Sequence, residues 1–264
     1  MDKVHYYSTP HQAISLIEAD YKKFAFRRHY HLDFHIGLIT GGQQKFAHRG
    51  DQHLVGPGEV VIMPPDELHD GRSLLDSGYQ VRVFSVTPEW FSEYFELSSP
   101  ENIIRFKHLI VSDSAIFSQL NHFHKVLTQT HLSQLAKDCL PYEGFNSLLS
   151  RYGVHKPQPM IPLGKQTIET LKAFLLAHLD QPIRLEQLAQ LCQLSPTQFQ
   201  RHFKAQMGIT PYAWFSRLRL EQAMKLLQRG VCGTEVALQV GFYDQAHFTK
   251  AFKLTYGVSP SAIN

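Results

Sequence analysis

The sequence predicts an α+β fold with two domains, a β-barrel with flanking helices followed by an all-α domain. Hydrophobic residues make up 43% of the 264 positions, which is the share of a globular protein. Residues 24–90 hold short apolar runs between glycine and proline turns, whereas residues 163–264 carry apolar residues at helical spacing. The expected domains are therefore 1–153 and 163–264, joined by a proline-rich linker at 154–162.

The strands of the first domain are predicted from apolar runs at Phe34–Ile39, Gln44–Ala47 and Glu59–Met63. Turn signals separate these runs, at Gly41-Gly42, Gly50-Asp51, Pro57-Gly58 and Pro64-Pro65. Many short strands at such close spacing are typical of a barrel or a sandwich.

A helical pattern replaces the strands after Thr87. Apolar residues recur at helical spacing in Pro88–Leu97, Ser112–Thr130 and Leu132–Tyr152. Pro141 has no amide hydrogen and is predicted to break or restart the last of these helices. We expect the helices of residues 112–153 to mediate dimerisation.

Six helices are predicted in the second domain. Their expected ranges are Lys165–His178, Leu185–Cys192, a helix from Ser195-Pro196 to near Gly208, a long helix from Thr210-Pro211 to about Arg229, Thr234–Val240 and Asp244–Thr255. Two of them open with an N-cap residue followed by proline, which is a strong helix start signal.

Two of the predicted helix pairs share one design. A small alanine, Ala189 or Ala237, lies on the first helix, and Ser195 or Asp244 can cap the second. A small residue at the crossing, a tight turn and a capped second helix are typical of the helix-turn-helix, whose second helix enters the major groove. The pattern Phe-x-x-x-Phe-Lys also repeats, at 199–204 and 248–253. A helical bundle with an ordinary polar surface is the alternative.

The second helix of each pair carries polar side chains suited to DNA. Gln200 and Arg201 are expected to read bases, because glutamine and arginine bond adenine and guanine bidentately. Lys253 and Arg219 are expected to contact phosphate. The expected DNA-binding residues are Thr197, Gln200, Arg201, Lys204, Gln245, His247, Thr249 and Lys250. The charge agrees, since residues 163–264 hold 11 Lys and Arg against 6 Asp and Glu, and residues 1–162 hold 15 against 17.

Three segments of the second domain carry a specific pattern: LEQLAQLCQLSPTQFQRHFK at 185–204, RLEQAMKLL at 219–227 and EVALQVGFYDQAHFTKAFKLTYGVSP at 235–260. Residues 183–261 thereby resemble the DNA-binding domain of the AraC/XylS family of transcription regulators. The resemblance implies two major-groove contacts per chain, a homodimer, and RNA polymerase as a further partner. Two positions depart from the family pattern. Arg184 stands where Ser or Thr usually caps a helix, and Cys232-Gly233 replaces the usual start of the sixth helix.

A histidine-rich pattern marks the first domain. His29, His31 and His35 lie in HYHLDFHIGLITGG, and His69 lies in PGEVVIMPPDELHDG. These segments resemble the two cupin motifs, with His35 in place of the motif's glutamate. They also resemble the arabinose-binding-type barrel that precedes this DNA-binding domain in many members of the family. His29 and His31 have the same parity, so in one strand both would point to the same side.

Two uses of these histidines remain open. Neutral imidazoles bind zinc, iron, nickel or copper, so His29, His31, His35 and His69 are candidate metal ligands. The favoured use is a small-molecule pocket that requires no cofactor. Its expected residues are His29, His31, His35, His69, Arg82 and Tyr30. No catalytic residues are identified.

Composition limits the remaining classes. No apolar run approaches the ~20 residues of a membrane span, and MDKVHYYSTPH lacks the apolar core of a signal peptide. Three widely spaced cysteines form no disulfide framework, so a cytoplasmic location is expected. The sequence therefore predicts a regulator that binds double-stranded DNA and responds to a small effector, such as an amino acid or another metabolite. A metal-dependent cupin enzyme with an appended DNA-binding module and a sequence-indifferent DNA binder are the competing interpretations.

Overall fold

The computed structural model describes residues 2–9, 11–95, 104–129, 132–154 and 161–263. Backbone contacts divide the chain into two compact units. The N-terminal unit comprises residues 1–130 and 140–159, and the C-terminal unit comprises residues 131–139 and 160–264. The short segment that ends at residue 139 thus groups with the C-terminal helices. Most of the predicted linker at 154–162 lies outside the described residues.

The N-terminal unit contains two antiparallel sheets. The described strands are β1 (Lys3–Ser8), β2 (Ile14–Tyr21), β3 (Ala25–His29), β4 (Phe34–Gly42), β5 (Gln44–His48), β6 (Asp51–Val55), β7 (Val60–Met63), β8 (His69–Ser73), β9 (Tyr79–Val86) and β10 (Ile110–Val111). One sheet has the order β1-β2-β9-β4-β7-β10, and the other has the order β3-β8-β5-β6. The expectation of an N-terminal β domain followed by a helical domain is confirmed, but the predicted β region began at residue 24 and therefore missed β1 and β2.

Three helices belong wholly or partly to this unit: α1 (Pro88–Phe95), α2 (Ser114–Leu127) and α3 (Gln134–Tyr152). The Asp113 carboxylate caps α2 by accepting from the amides of Ala115 and Ile116. Pro141 lies inside α3, so the predicted helix break there is wrong. Packing explains its tolerance, because the side chains of the same helix that follow it are fully buried. They are Phe145, Leu148 and Leu149.

An aromatic core joins these helices to the larger sheet. The Phe84 ring of β9 lies 5.0 Å from the Phe123 ring of α2 and 5.1 Å from the Phe145 ring of α3. Trp90 of α1 lies 5.4 Å from Phe145. Buried aromatic rings in offset and edge-on contact stabilise such a layer beyond the area that they bury.

The described residues of the C-terminal unit outside 132–139 are helical apart from their connections. The helices are α4 (Lys165–Ala177), α5 (Leu185–Leu191), α6 (Pro196–Met207), α7 (Pro211–Leu227), α8 (Gly233–Gln239) and α9 (Gln245–Tyr256), followed by a 3-10 turn at Pro260–Ala262. These bounds lie close to the six predicted ranges. Within the described part of the chain, no helix combines the length and the apolar character that crossing a membrane requires.

Candidate functional sites

The turns of the two helix-turn-helix units have the same hydrogen bond. The Leu194 amide donates to the Ala189 carbonyl at 3.0 Å, and the Phe242 amide donates to the Ala237 carbonyl at 2.9 Å. The residue before each donor has a left-handed backbone, Gln193 at φ 55° and Gly241 at φ 72°. Both alanines are buried, as close crossing of the helices requires. The pairs α5–α6 and α8–α9 are therefore structural repeats.

The second helix of each pair also begins and ends alike. The Ser195 hydroxyl accepts from the Gln198 amide at 3.2 Å, and the Asp244 carboxylate accepts from the His247 amide at 2.6 Å. Each helix ends at a left-handed glycine, Gly208 or Gly257. The prediction that the repeated aromatic pairs face the core is confirmed by four fully buried rings, Phe199, Phe203, Phe248 and Phe252.

The recognition helix of the second unit, α9, presents an open polar face. Gln245, His247 and Lys250 are exposed, and Thr249 is partly exposed. The Gln245 side chain accepts from the Thr234 hydroxyl at 3.2 Å, which steadies it at the start of the helix. Neutral and cationic donors at the surface of a capped helix are suited to base edges and phosphates.

The recognition helix of the first unit, α6, differs from the prediction. Thr197, Gln200 and Arg201 were expected to point outward, but their exposed fractions are 2%, 2% and 8%. Lys204 is half-buried. The expectation of an accessible base-reading face on α6 is therefore wrong for this conformation.

Residues 132–139, here called the cap segment, explain the burial of Gln200. The Gln200 Nε2 donates to the carbonyl oxygen of Cys139 at 2.8 Å. Leu135, Ala136 and Cys139 are buried to 1% exposure or less. Nothing near α6 in the sequence signals this contact, because its two residues are 61 positions apart.

The cap segment also compensates for the unusual start of α5. Arg184 occupies the N-cap position and makes no side-chain capping hydrogen bond there, since a guanidinium has no acceptor. The Asp138 carboxylate instead accepts from the Leu185 amide at 3.1 Å. Gln134 donates to the other oxygen of Asp138 at 2.7 Å. Asp138 thus supplies from a distant part of the chain the acceptor that Arg184 lacks.

Arg219, expected to touch phosphate, is engaged inside the C-terminal unit. Its Nε donates to the Leu179 carbonyl at 2.8 Å and its Nη2 donates to the Gln181 carbonyl at 3.2 Å. The guanidinium carbon lies 4.2 Å from the centre of the Phe215 ring. Burial lowers the pKa of Arg219 to about 10. This side chain fixes the connection between α4 and α5, which corrects the phosphate prediction. Lys253 is exposed.

A cavity of about 190 Å³ lies in the N-terminal unit. Both sheets contribute to its wall, for example through Val81 and Val83 of β9 and Phe46 of β5. His29, His31, His35 and His69 all line it, so the prediction that these histidines come together is confirmed by the geometry. Among the described residues of the wall there is no Lys or Arg.

The four imidazoles meet through strand pairing. His29 ends β3 and pairs directly with His69 at the start of β8, with ring centres 4.4 Å apart. His31 follows β3 in a loop, 4.9 Å from the His69 ring, and stacks on His35 of β4 at 3.6 Å. The parity argument for His29 and His31 is therefore wrong, because only His29 lies in the strand. The pairing of β3 with β8 brings the cluster together instead.

Hydrogen bonds fix the tautomer of three of these rings. Each Nδ1 lies within 2.6–2.8 Å of a backbone carbonyl two residues away, His29 with Arg27, His31 with Asp33 and His69 with Glu67. A carbonyl can only accept, so Nδ1 carries the proton and Nε2 is left as an acceptor. The Nε2 of His31 is buried and has no partner in the described structure.

Burial favours the neutral form of three of the four rings. It lowers the pKa of His31 from 6.5 to about 4 and that of His35 to about 3. The pKa of His69 is lowered by burial as well. The cavity therefore offers a ligand uncharged imidazole acceptors at neutral pH.

The fit of a metal ion to these histidines is incomplete. Imidazoles whose Nδ1–H is held by a carbonyl have the tautomer that metal sites use. Yet within the described ranges no three His, Cys, Asp or Glu side chains are placed so that they could hold a metal ion. His31 and His35 stack face to face rather than converge. As they are placed, the four rings form a polar part of the cavity wall.

Arg82 and Tyr30, the other two predicted pocket residues, lie elsewhere. Side chains alternate along β9, so Val81 and Val83 face the cavity and Arg82 faces away from it. Arg82 donates to the Glu18 carboxylate at 2.7 Å and to the Asn121 amide oxygen at 2.6 Å. Tyr30 is 59% exposed.

The aromatic part of the cavity wall was not predicted. Its rings are Tyr21, Phe26, Phe46 and Tyr79. Tyr21 lies 5.1 Å from Phe26 and 5.5 Å from Tyr79, and Gln44 donates to the Tyr79 hydroxyl at 3.4 Å. The alternation of Tyr79, Val81 and Val83 in β9 is a signal that could have identified part of this wall.

Two family models match the chain. The model described as an AraC-like ligand binding domain matches residues 11–145, and the model described as a helix-turn-helix domain matches residues 188–264. The first covers more than half of the chain, and the second contains both helix-turn-helix pairs from Leu188 onward.

Curated relatives match over most of the chain. An uncharacterized HTH-type transcriptional regulator, YbfI of Bacillus subtilis, is 27% identical over 84% of this chain and 81% of its own length. The arabinose operon regulatory protein of Salmonella typhimurium is 25% identical over 86% of this chain and 81% of its own length. A XylDLEGF operon transcriptional activator of Pseudomonas putida is 24% identical over 86% of this chain and 73% of its own.

Solved structures match at lower similarity. Unsaturated fatty acid bound ToxT of Vibrio cholerae is 17% identical, with a TM-score of 0.39 over 97% of this chain and 96% of that one. An AraC-type DNA-binding domain protein of Chromobacterium violaceum is 23% identical, with a TM-score of 0.36 over 38% of this chain and 89% of its own.

Proposed function

Because the chain belongs to the family of AraC-type transcriptional regulators, with an N-terminal ligand-binding domain and a C-terminal helix-turn-helix DNA-binding domain, we propose which of its residues bind DNA and which bind the effector. Helix α9 reads DNA through Gln245, His247 and Lys250. The histidine-lined cavity binds the small effector that modulates this reading. Thr197, Gln200, Arg201 and Lys204 of α6 read a second segment of the same site when they are accessible.

The open face of α9 is the observation that carries the DNA-binding proposal. The face is exposed, it follows an Asp244 cap, and it has no acidic side chain between Gln245 and Tyr256. A second capped helix of the same length in the repeat supports two contacts per chain. Units one helical turn of DNA apart, roughly 34 Å, contact successive major-groove segments.

The chemistry of the cavity supports an effector without a negative charge. A carboxylate or phosphate needs a cationic partner when it is buried, and the described wall provides no Lys or Arg. The neutral imidazole acceptors and Asp70 are suited to hydroxyl or amide donors, and the aromatic rings of the wall are suited to a flat apolar face. An uncharged, ring-containing metabolite fits these features better than a free amino acid.

The competing functions are less well supported. The chain's relatives are named as transcriptional regulators, which supports a role without catalysis. A metal-dependent enzyme would need converging donors, and metal analysis of protein purified without a polyhistidine tag tests it directly. We further propose that the regulator works as a cytoplasmic homodimer that contacts RNA polymerase. Sedimentation with and without DNA tests the dimer.

Substitutions on α9 test the DNA-binding proposal. On sites selected from random double-stranded DNA, Gln245→Ala should cost about 1–3 kcal/mol at one base position and relax the preference there. Lys250→Ala should weaken binding to all sequences and lower the salt dependence by about one phosphate contact. The control is Lys172→Ala, which removes an exposed charge from α4. Equal affinity of all three variants and the parent would rule out α9 as the reading helix.

A further inference from the structure

The cap segment, residues 132–139, covers a surface that DNA would need. The base-reading face of α6 includes Gln200, whose amide nitrogen is bonded to the Cys139 carbonyl at 2.8 Å. An amide committed to that carbonyl cannot bond an adenine edge at the same time. We propose that the cap segment is an autoinhibitory element, and that the first helix-turn-helix engages DNA only after this segment leaves α6. The inference rests on the proposed function of α6.

Besides the bond from Gln200 to Cys139, a second hydrogen bond anchors the cap segment. Asp138, 5% exposed, accepts from the Leu185 amide at the start of α5 at 3.1 Å. Leu135 and Ala136 are fully buried beside it. Since Arg184 makes no side-chain cap, the helix-turn-helix gains a missing acceptor while the segment is in place. The closed arrangement is therefore favoured by more than incidental packing.

The closed arrangement is also incomplete, which makes it reversible. The Oε1 of Gln200 is buried without a partner in the described structure. A buried acceptor that lost water and gained no hydrogen bond opposes closure. DNA would satisfy both the Nε2 donor and the Oε1 acceptor of Gln200, because adenine offers an acceptor and a donor side by side in the major groove.

Helix α3 gives the cap segment a physical link to the ligand-binding unit. Residues up to 139 group with the C-terminal unit, and residues from 140 onward group with the N-terminal unit. Pro141 lies at this boundary, inside the helix, and removes one helical hydrogen bond. Further along the helix, Phe145 contacts Phe84 of β9, whose neighbours Val81 and Val83 line the cavity. A shift of β9 on ligand binding is thereby placed to bias the cap segment through α3.

A pair of substitutions isolates the anchoring role of Asp138. Asp138→Ala alone removes the anchor and also uncaps α5. Adding Arg184→Ser restores a local cap acceptor to α5 while the anchor stays absent. We expect the double variant of the full chain to bind a selected DNA site roughly 5- to 100-fold more tightly than the parent. Its hydroxyl-radical footprint should also extend by the segment that α6 covers. Lys137→Ala, on the same segment but half exposed, is the control and should change neither.

The Cys139 thiol reports the cap segment independently of affinity. Cys139 is fully buried, and replacing Cys192 and Cys232 with Ser leaves it as the single thiol. We expect alkylation of Cys139 to be slow in the free protein and faster when DNA is saturating. Unchanged affinity and footprint in the double variant, with no faster alkylation on DNA, would overturn the autoinhibition. Unchanged affinity in Lys250→Ala and Gln245→Ala would contradict the proposed function alone, so the two failures are distinguishable.

Discussion

Three buried imidazoles make the N-terminal unit sensitive to acid. Burial lowers the pKa of His31 to about 4, of His35 to about 3 and of His124 to about 4. In the unfolded chain these rings bind protons near pH 6.5, so the unfolded state takes up protons first as the pH falls. The stability that the neutral rings allow is present above pH 6.5 and is lost as the pH falls towards 4.

The melting temperature of the N-terminal unit should therefore decline as the pH falls from about 6.5 towards 4. The variant with His31→Gln and His35→Gln should show a weaker decline, and the remainder should come from His69 and His124. His122→Gln, an exposed change on α2, is the control and should leave the slope as it is in the parent. A slope that is the same in all three proteins would contradict burial as the cause.

Arg219 is a structural clamp. Replacing it with Ala leaves the Leu179 and Gln181 carbonyls without their charged donor and removes the contact with Phe215. We expect the C-terminal unit to lose about 2 kcal/mol of unfolding free energy, measured by urea denaturation. Arg217→Ala, an exposed change on the same helix, should cost far less. A similar loss in both variants would show that charge on α7 matters and the clamp does not.

At the residue level, the sequence identified which residue types take part in the candidate sites better than it identified the contacts that each side chain makes. The four histidines do line one cavity, because their spacing places them in paired strands and an adjoining loop. Gln200, Arg82 and Arg219 were misplaced because their partners are distant in the chain. Cys139, Glu18 and Leu179 lie 61, 64 and 40 positions away from them, and nothing local to each side chain shows such a partner.

The two helix-turn-helix elements differ at the left-handed position of the turn. Gly241 has φ +72°, and a Cβ there would lie 2.3 Å from the Leu179 carbonyl oxygen. Gly257 has φ +78° and open space around it. Gly257→Ala should thus cost only the backbone strain, about 1 kcal/mol, whereas Gly241→Ala should cost clearly more because backbone atoms must move.

The equivalent residue of the first turn is Gln193, at φ 55°. Gln193→Gly should stabilise the C-terminal unit by up to about 1 kcal/mol, because glycine adopts this backbone without a steric penalty. Thermal or urea unfolding of Gly241→Ala, Gly257→Ala and Gln193→Gly measures their stabilities, which should increase in that order. If Gly241→Ala were no worse than Gly257→Ala, the close approach to Leu179 would be disproved.

Helices were predictable at the level of elements, and the first two strands were not. Capping by Ser195 and Asp244 is local chemistry, visible in a few residues. Strand β2 is held by β9, with Ile14 opposite Val86, and the pairing partner lies far along the chain. The helix break predicted at Pro141 was wrong for a related reason, since tertiary burial of α3 outweighs the local loss of one hydrogen bond.

At the scale of the whole molecule, the effector proposal predicts a selective response. An uncharged ring compound that occupies the cavity should raise the melting temperature of the N-terminal unit and leave that of the C-terminal helices nearly unchanged. Differential scanning calorimetry against matched pairs, each compound beside its carboxylate analogue, measures this. Preference for the carboxylates would contradict the argument from the cation-free wall. His69→Ala should abolish the shift, whereas His122→Ala should retain it.

The charge difference between the halves of the chain has a consequence at the same scale. The net positive charge lies in 163–264, so attraction to a polyanion acts on the part that carries α6 and α9. This asymmetry was available from the sequence alone. The coverage of α6 by the cap segment was not available from the sequence, because it depends on which residues of α3 pack against the C-terminal helices.

Helix α3 belongs to both units, so the number of residues between two of its side chains sets the angle between them. Each residue turns an α-helix by about 100° and advances it by about 1.5 Å. One alanine inserted between Leu140 and Pro141 would therefore turn Asp138 and Cys139 by about 100° around the axis of α3 relative to Phe145. The number of residues at this point thus fixes the angle between the helix groups that contact Gln200 and Leu185 and the ring that contacts Phe84.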